Sequence, residues 1–310
     1  MNVLLPLEIM GRRAPWLLAA GVFGGILWQP LADFLAPWLE ALIVMNLALS
    51  MMRIEPSALT GYLRRPGLIA TIFAAKMLIA PLVVWGFTRI AGIGGPIGEG
   101  VVFHALTVPI MSAPALCILF GLDAALALII TVLAYALVPF TLPPLALWLL
   151  GIELDLTVWE LMWRLGRIVG ASFVLAVLAR RFLGPRFLRA QAARMDGLMV
   201  LGMVGVAVSL MSGLPEFAAA NPSYTALVTA TTFAANIVLQ IAGALAFWRM
   251  GRQAAVTIGL ITGNTNVAIV MAALSESAPY ELLVYFVVGQ FPIYTLPLVA
   301  LPVYRRLAGR

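Results

Sequence analysis

Charge is scarce in this chain, and cysteine and histidine are almost absent. Only 10% of its 310 residues are charged, against roughly 25% in a soluble domain. That shortage excludes an ordinary water-soluble fold. One cysteine, Cys117, and one histidine, His104, exclude a disulfide framework and a Cys/His metal cluster. No metal centre and no cofactor are expected. A Gly-rich phosphate-binding loop is also missing, which argues against ATP-driven work by this chain alone. An enzyme is not expected, and no catalytic residue is assigned. His104 and Cys117 are the reactive candidates, thirteen positions apart (117 minus 104) with Pro109 and Pro114 between them. A sensor is not expected either, because no appended domain or long tail would relay its signal.

What the chain has in quantity is apolar sequence. It is 63% hydrophobic, with a mean hydropathy of +1.05. Ten apolar segments reach the roughly 17–25 residues that span a bilayer. They lie near 14–30, 34–52, 67–90, 99–120, 124–149, 160–183, 196–213, 223–248, 254–274 and 279–304. The fold class expected is therefore all-α and integral to a membrane. Residues 1–310 form a single transmembrane domain, and Met1–Arg13 is too mixed and short for a cleavable signal. Positive residues collect in cytoplasmic loops. With ten spans and a cytoplasmic start, the inner loops hold most of the arginines, from Arg12 and Arg13 to Arg305, Arg306 and Arg310. The outer loops hold Asp33, Glu40, Glu99, Glu153, Asp155, Glu216, Glu276 and Glu281. Arg89 is the outer exception, and Arg164 and Arg167 are ambiguous. The net charge of +6 is then this inside bias, which attracts anionic inner-leaflet lipid and requires no nucleic acid. Both termini are expected in the cytoplasm, and the membrane is expected to be the inner (plasma) membrane of a cell.

Two of the ten segments are interrupted. One carries Thr107-Val108-Pro109-Ile110-Met111-Ser112-Ala113-Pro114, and the other Thr262-Gly263-Asn264-Thr265-Asn266. Each precedes a long apolar helix expected to end in Thr-Leu-Pro, at Thr141-Leu142-Pro143 and Thr295-Leu296-Pro297, 154 positions apart (295 minus 141). Proline removes a backbone donor and clashes with the preceding turn. Lipid leaves free backbone groups unsatisfied, so such breaks must be buried in protein or line a cavity. Interrupted helices at matching places in two halves mark the binding site of a secondary transporter. Five spans per half is an odd number, so the second half is inverted relative to the first. The repeats run about 12–151 and 157–306.

At these residues the chain resembles the bile acid:sodium symporter family. The likeness is most specific from Phe120 to Thr131, with Gly121, Asp123, Ala125-Leu126 and Thr131, and then over the proline-rich run from Pro139 to Gly151. It implies ten helices, two inverted five-helix repeats and two broken helices that cross. Spans 1, 2, 6 and 7 would form a panel domain, and spans 3–5 and 8–10 a core domain. The departures concern sodium. The Glu before Thr-Gly that sodium-coupled members carry in the ninth helix is Ile261 here. The following Gln is Thr265, while the Asn after it is retained as Asn266. A Ser-Asn pair is missing at Ala113-Pro114-Ala115. Thr131 is kept, but the Ser four residues earlier is Ala127. A Gln in the third helix is Lys76, five residues before Pro81.

Lys76 is the lone charge in residues 69–84. A charge at mid-membrane costs at least about 2.5–3.5 kcal/mol on insertion scales, so it requires a partner or a wet cavity. It sits too deep for easy snorkelling. By the resemblance its ammonium stands where a sodium ion would bind, a built-in substitute cation and the candidate proton-coupling residue. The expected substrate- or ion-binding residues are Lys76, Ser112, Thr131, Thr262, Asn264, Thr265 and Asn266. His104 is either a proton relay or a packing residue. Asn266 is a candidate N-cap for a half-helix, and such a terminus favours anions. The expected activity is alternating-access transport of a small or amphipathic organic anion, sodium-independent or proton-coupled. The alternative is a sodium-coupled symporter of the bile acid type.

Overall fold

The computed structural model describes residues 5–53, 61–62, 64–151, 156–274 and 277–309. Glu153, Asp155, Glu276 and Arg310, which entered the charge reading, lie outside the described residues, as does the start of Met1–Arg13. Among the described residues every extended element is a helix, apart from one isolated β-bridge. In chain order the helices are α1 (Leu5–Arg12), α2 (Ala14–Leu27), α3 (Gln29–Met52), α4 (Pro66–Ile90), α5 (Gly95–Leu106), α6 (Ala113–Phe120), α7 (Ala124–Leu150) and α8 (Val158–Ala190). They continue with α9 (Ala192–Leu210), α10 (Leu214–Ala220), α11 (Pro222–Ala246), α12 (Arg252–Gly263), α13 (Val267–Leu274), α14 (Tyr280–Val299) and α15 (Leu301–Leu307). Prolines mark many of the starts. Pro30, Pro66, Pro96, Pro114 and Pro215 all fall at the first or second helical position, where a missing N–H costs nothing. Gly121 and Gly151 end α6 and α7 in the left-handed conformation, at φ 77° and 57°, which a side chain disfavours.

Seven helical stretches are long and apolar enough to cross a membrane: α3, α4, α7, α8, Ala192–Ala220, α11 and α14. The protein is thus an all-α chain of membrane-spanning type. Trp16–Leu27 is apolar but shorter. The expected fourth and ninth spans are each two half-helices, α5–α6 and α12–α13. The expectation that Thr141-Leu142-Pro143 closes its helix is corrected. α7 runs on to Leu150 with Pro139, Pro143 and Pro144 inside it. The Thr141 hydroxyl donates back to Leu137 O one turn earlier, at 3.2 Å. α14 likewise continues past Pro297 to Val299.

The described chain separates into two compact units. The first comprises residues 1–54 and 166–222. Here α9 packs against α1, α2 and α3. The approach is close because of glycine: a Cβ on Gly197 would meet Leu7 O at 2.0 Å, and one on Gly25 would meet Val208 Cα at 2.9 Å. Small residues at such contacts let helix backbones approach, the main source of packing where lipid replaces water. Ion pairs join Arg194 to Glu8 at 3.2 Å, Arg167 to Glu40 at 3.0 Å, and Arg53 to Asp196.

The second unit comprises residues 55–165 and 223–310. Within it α7 packs on α4, α5, α6 and α12, and α14 packs on α5. Gly100 permits the latter contact, since a Cβ there would lie 2.3 Å from the Tyr285 ring. Asp123 caps α7 by accepting from Leu126 N at 2.9 Å, and it also accepts from the Tyr62 hydroxyl. Both broken helices belong to this unit.

Gly197→Ala forces a methyl into the Leu7 backbone. Overpacking of this kind costs about 1–3 kcal/mol. A lower melting temperature of the purified protein is expected. An unchanged melting temperature would contradict the α1–α9 contact.

Candidate functional site

The two interruptions cross each other. α5 stops because Thr107 turns to extended geometry (φ −75°, ψ 151°) ahead of Pro109, and α12 stops at Asn264 (φ −89°, ψ 87°). The two short extended stretches pair antiparallel, with Pro109 opposite Thr265. Ile110 N donates to Asn264 O at 2.9 Å, and Asn266 N donates to Val108 O at 2.8 Å. Pro109 therefore occupies a pair that exchanges no hydrogen bonds of its own, so its missing donor breaks no rung.

A half-helix buried at membrane depth leaves its last carbonyls without partners. Lys76 solves this for α5. Its Nζ donates to Ala105 O and Thr107 O, both at 2.8 Å, and the residue is only 1% exposed. The side chain leaves α4 within a widened π-helical turn, Ala75–Ile79. Pro81 follows, and it has no N–H to offer the carbonyl of Met77. Single π-turns of this kind are frequent at functional sites. His104 solves the problem for α12. Its Nε2 lies 2.8 Å from Gly263 O, and because a carbonyl only accepts, Nε2 carries the proton and donates. The remaining half-helices follow the same rule. Arg164 donates to Ala273 O near the end of α13, at 3.1 Å, and to Ser277 Oγ at 3.4 Å. Gln253 donates to Gly121 O at the end of α6, also at 3.1 Å. Negative partial charge gathers at helix C-termini, and three of these four donors are basic residue types.

The residues expected from sequence fall into two groups. Lys76, Asn264, Thr265, Asn266 and His104 meet at the crossing. Thr131 lies on α7, the helix whose Tyr135 bonds the crossing. Asn266 Nδ2 donates to Tyr135 Oη at 2.6 Å, and Thr131 lies one turn before Tyr135. Thr262 is buried, with its hydroxyl donating to Ile258 O at 2.7 Å. Ser112 precedes α6 and forms no side-chain cap there. Asn266, the candidate N-cap of α13, donates through its amide nitrogen to Tyr135. Arg164 and Arg167 make separate contacts, with the Ala273 carbonyl of α13 and with Glu40. Sequence reading missed Tyr135 and Gln253. Tyr135 left a faint signal, as the lone phenol of α7 one turn after Thr131.

Buried polar side chains are nearly always hydrogen-bonded. At the crossing a set of them has no partner among the described residues: both amide atoms of Asn264, Thr265 Oγ1 and His104 Nδ1; on α7, Thr131 Oγ1 is likewise without one. Asn264 is 1% exposed and Thr265 fully buried. The set mixes donors and acceptors and adjoins the N-terminus of α13. It is equipped to hold a small polar or anionic group. No carboxylate joins it. Ile261, the position where the resemblance would place a Glu, is fully buried. Among the described residues no group of three or more His, Cys, Asp or Glu is placed to hold a metal ion.

Comparison with known proteins finds no family model that matches this chain, and no curated protein that matches it.

Lys76→Met leaves two buried carbonyls unpaired, at about 1–3 kcal/mol for each such group. A clear drop in melting temperature is expected. Asn264→Ala removes a side chain that has no partner and should leave the melting temperature nearly unchanged. The reverse ranking, read by thermal denaturation of the two variants, would contradict this geometry.

Proposed function

We propose that the chain is a secondary carrier for a small or amphipathic organic anion, with Lys76 serving as a fixed cation in place of a transported one. The carrying observation is the Lys76 ammonium on the Ala105 and Thr107 carbonyls at the end of α5. Exposed carbonyls at a broken helix are what a sodium ion coordinates in transporters of this kind. Here a tethered ammonium holds them, and the carboxylate that would offset a sodium ion is replaced by Ile261. The coupling proposed is therefore sodium-independent or proton-driven. The substrate site proposed is the crossing itself, where the unpartnered polar atoms of Asn264 and Thr265 adjoin a half-helix N-terminus that favours negative charge, with Thr131 on α7 as a further candidate.

The reading extends to the architecture. The seven long helices, Trp16–Leu27 and the two interrupted stretches account for ten spans in two inverted repeats. Support comes from the two units: the first covers most of the proposed panel, spans 1, 2, 6 and 7, and the second covers the proposed core together with residues 160–165 of span 6. Two compact bodies are what an alternating-access cycle needs. This is the arrangement implied by the resemblance to the bile acid:sodium symporter family, with the chain in a cell's inner membrane and both termini cytoplasmic. One observation favours the second reading, a sodium-coupled symporter. Thr131, retained at a sodium-binding position by that resemblance, has a buried hydroxyl with no partner.

The test needs no known substrate. Melting temperature is compared in sodium chloride and choline chloride at equal ionic strength, from mildly acidic to alkaline pH, for wild type and Lys76→Gln. A bound ion at about 100 times its dissociation constant stabilises by roughly 2.7 kcal/mol. No sodium-specific shift is expected, together with a pH dependence in wild type that Lys76→Gln lacks. A sodium-specific rise in wild type would overturn the fixed-cation reading in favour of the symporter.

A further inference from the structure

A cavity of about 750 Å³ opens between α4 and α11, inside the second unit and beside the crossing. Small residues on one face of α11, among them Ala230, Ala234, Ala242 and Gly243, leave the space, and Val83 and Phe87 of α4 stand opposite. Its rim is apolar and open: Val83, Phe87 and Val238 are 64%, 62% and 61% exposed. Such a rim suits lipid rather than water. The lining contains a single charged side chain, Lys76, at 1% exposure.

The charge of Lys76 is incompletely balanced. An ammonium has three N–H donors, and two of them reach Ala105 O and Thr107 O. No carboxylate pairs with it among the described residues. A helix C-terminus offers only about half a negative charge, and a buried charge is costly until it is paired. An apolar slot with an under-compensated cation in its wall complements one kind of occupant, an alkyl body ending in a compact anion.

We propose that this cavity binds a free long-chain carboxylate, its alkyl chain lying between α4 and α11 and its carboxylate accepting from Lys76 Nζ. Depth selects this source over a membrane phospholipid. Lys76 is ten residues from Pro66 (76 minus 66) and fourteen from Ile90 (90 minus 76). At 1.5 Å per residue that is about 15 and 21 Å from the ends of α4. A phospholipid keeps its charged head at the membrane surface, and only the ends of its chains reach such a depth. The inference stands apart from the carrier reading, because it concerns binding alone.

The experiment titrates the purified protein in lipid nanodiscs with hexadecanoate, and with hexadecanol as the neutral chain of equal length. Saturable binding of hexadecanoate is expected, roughly tenfold or more tighter than the alcohol. Ala234→Phe combined with Ala242→Phe fills the slot from two exposed alanines and should weaken hexadecanoate binding by a similar factor. Lys76→Gln should bring acid and alcohol to equal affinity, while Lys76→Arg, which keeps the charge, should retain the preference for the acid. Equal binding of acid and alcohol by the wild type would overturn the proposal and leave a slot for lipid chains alone. Absence of saturable binding, or full binding by the filled variant, would overturn it as well.

Discussion

The structure of the second unit depends on how buried helix ends are satisfied. A helix that stops at membrane depth leaves carbonyls where neither water nor lipid can bond them. The two half-helices that stop at the crossing meet this constraint with a donor from another element, Lys76 for α5 and His104 for α12, while Gln253 and Arg164 bond the far ends of α6 and α13. These contacts do more than satisfy polar atoms. His104 leaves α5 to bond the end of α12, so each interruption is held partly by residues of the other. The antiparallel pair at Pro109 and Thr265 adds two backbone hydrogen bonds. The crossing is thus fixed by a handful of directional bonds inside an otherwise nondirectional apolar core.

Close packing makes those bonds possible. A Cβ on Gly263 would lie 2.3 Å from Asn236 O, and one on Gly259 would lie 2.3 Å from Gln240 O. α11 and α12 therefore touch backbone to backbone. Polar side chains run along this seam. Gln240 donates to Asn236 Oδ1 at 2.5 Å, and Tyr304, stacked on Phe120 with ring centroids 4.5 Å apart, donates to Gln240. The first of these bonds lies within α11; the second is interhelical, a type that contributes on the order of 0.6 kcal/mol in membranes. Its value here is in setting which helix faces meet.

Much of this was legible in the sequence, and the limits have physical causes. Composition gave the membrane class. Pro109, Pro114, Gly263 and Asn266 marked both interruptions, because proline and glycine act locally. Asp123 was readable as a cap for the same reason. Lys76 stood out as a charge without company. What Lys76 bonds was not legible, because Ala105 and Thr107 contribute backbone carbonyls, which every residue carries and no sequence pattern marks. The link from Asn266 to Tyr135 spans 131 positions and follows from helix packing alone. The prolines of α7 misled, since a proline in an apolar helix reads as a stop unless the surrounding packing is known.

The tethered ammonium also bears on electricity. A dissolved cation that accompanies an anion through a carrier cancels part of its charge, and a lysine bound to its own helix stays behind. So long as Lys76 keeps its proton, each monovalent anion carried by the proposed cycle moves one uncompensated negative charge through the membrane field. That field does work of about 2.3 kcal/mol per charge for each 100 mV. A membrane that is negative inside would then push such an anion outward. A carrier of this build would run as a voltage-driven exporter without drawing on any ion gradient, and its turnover would register as current.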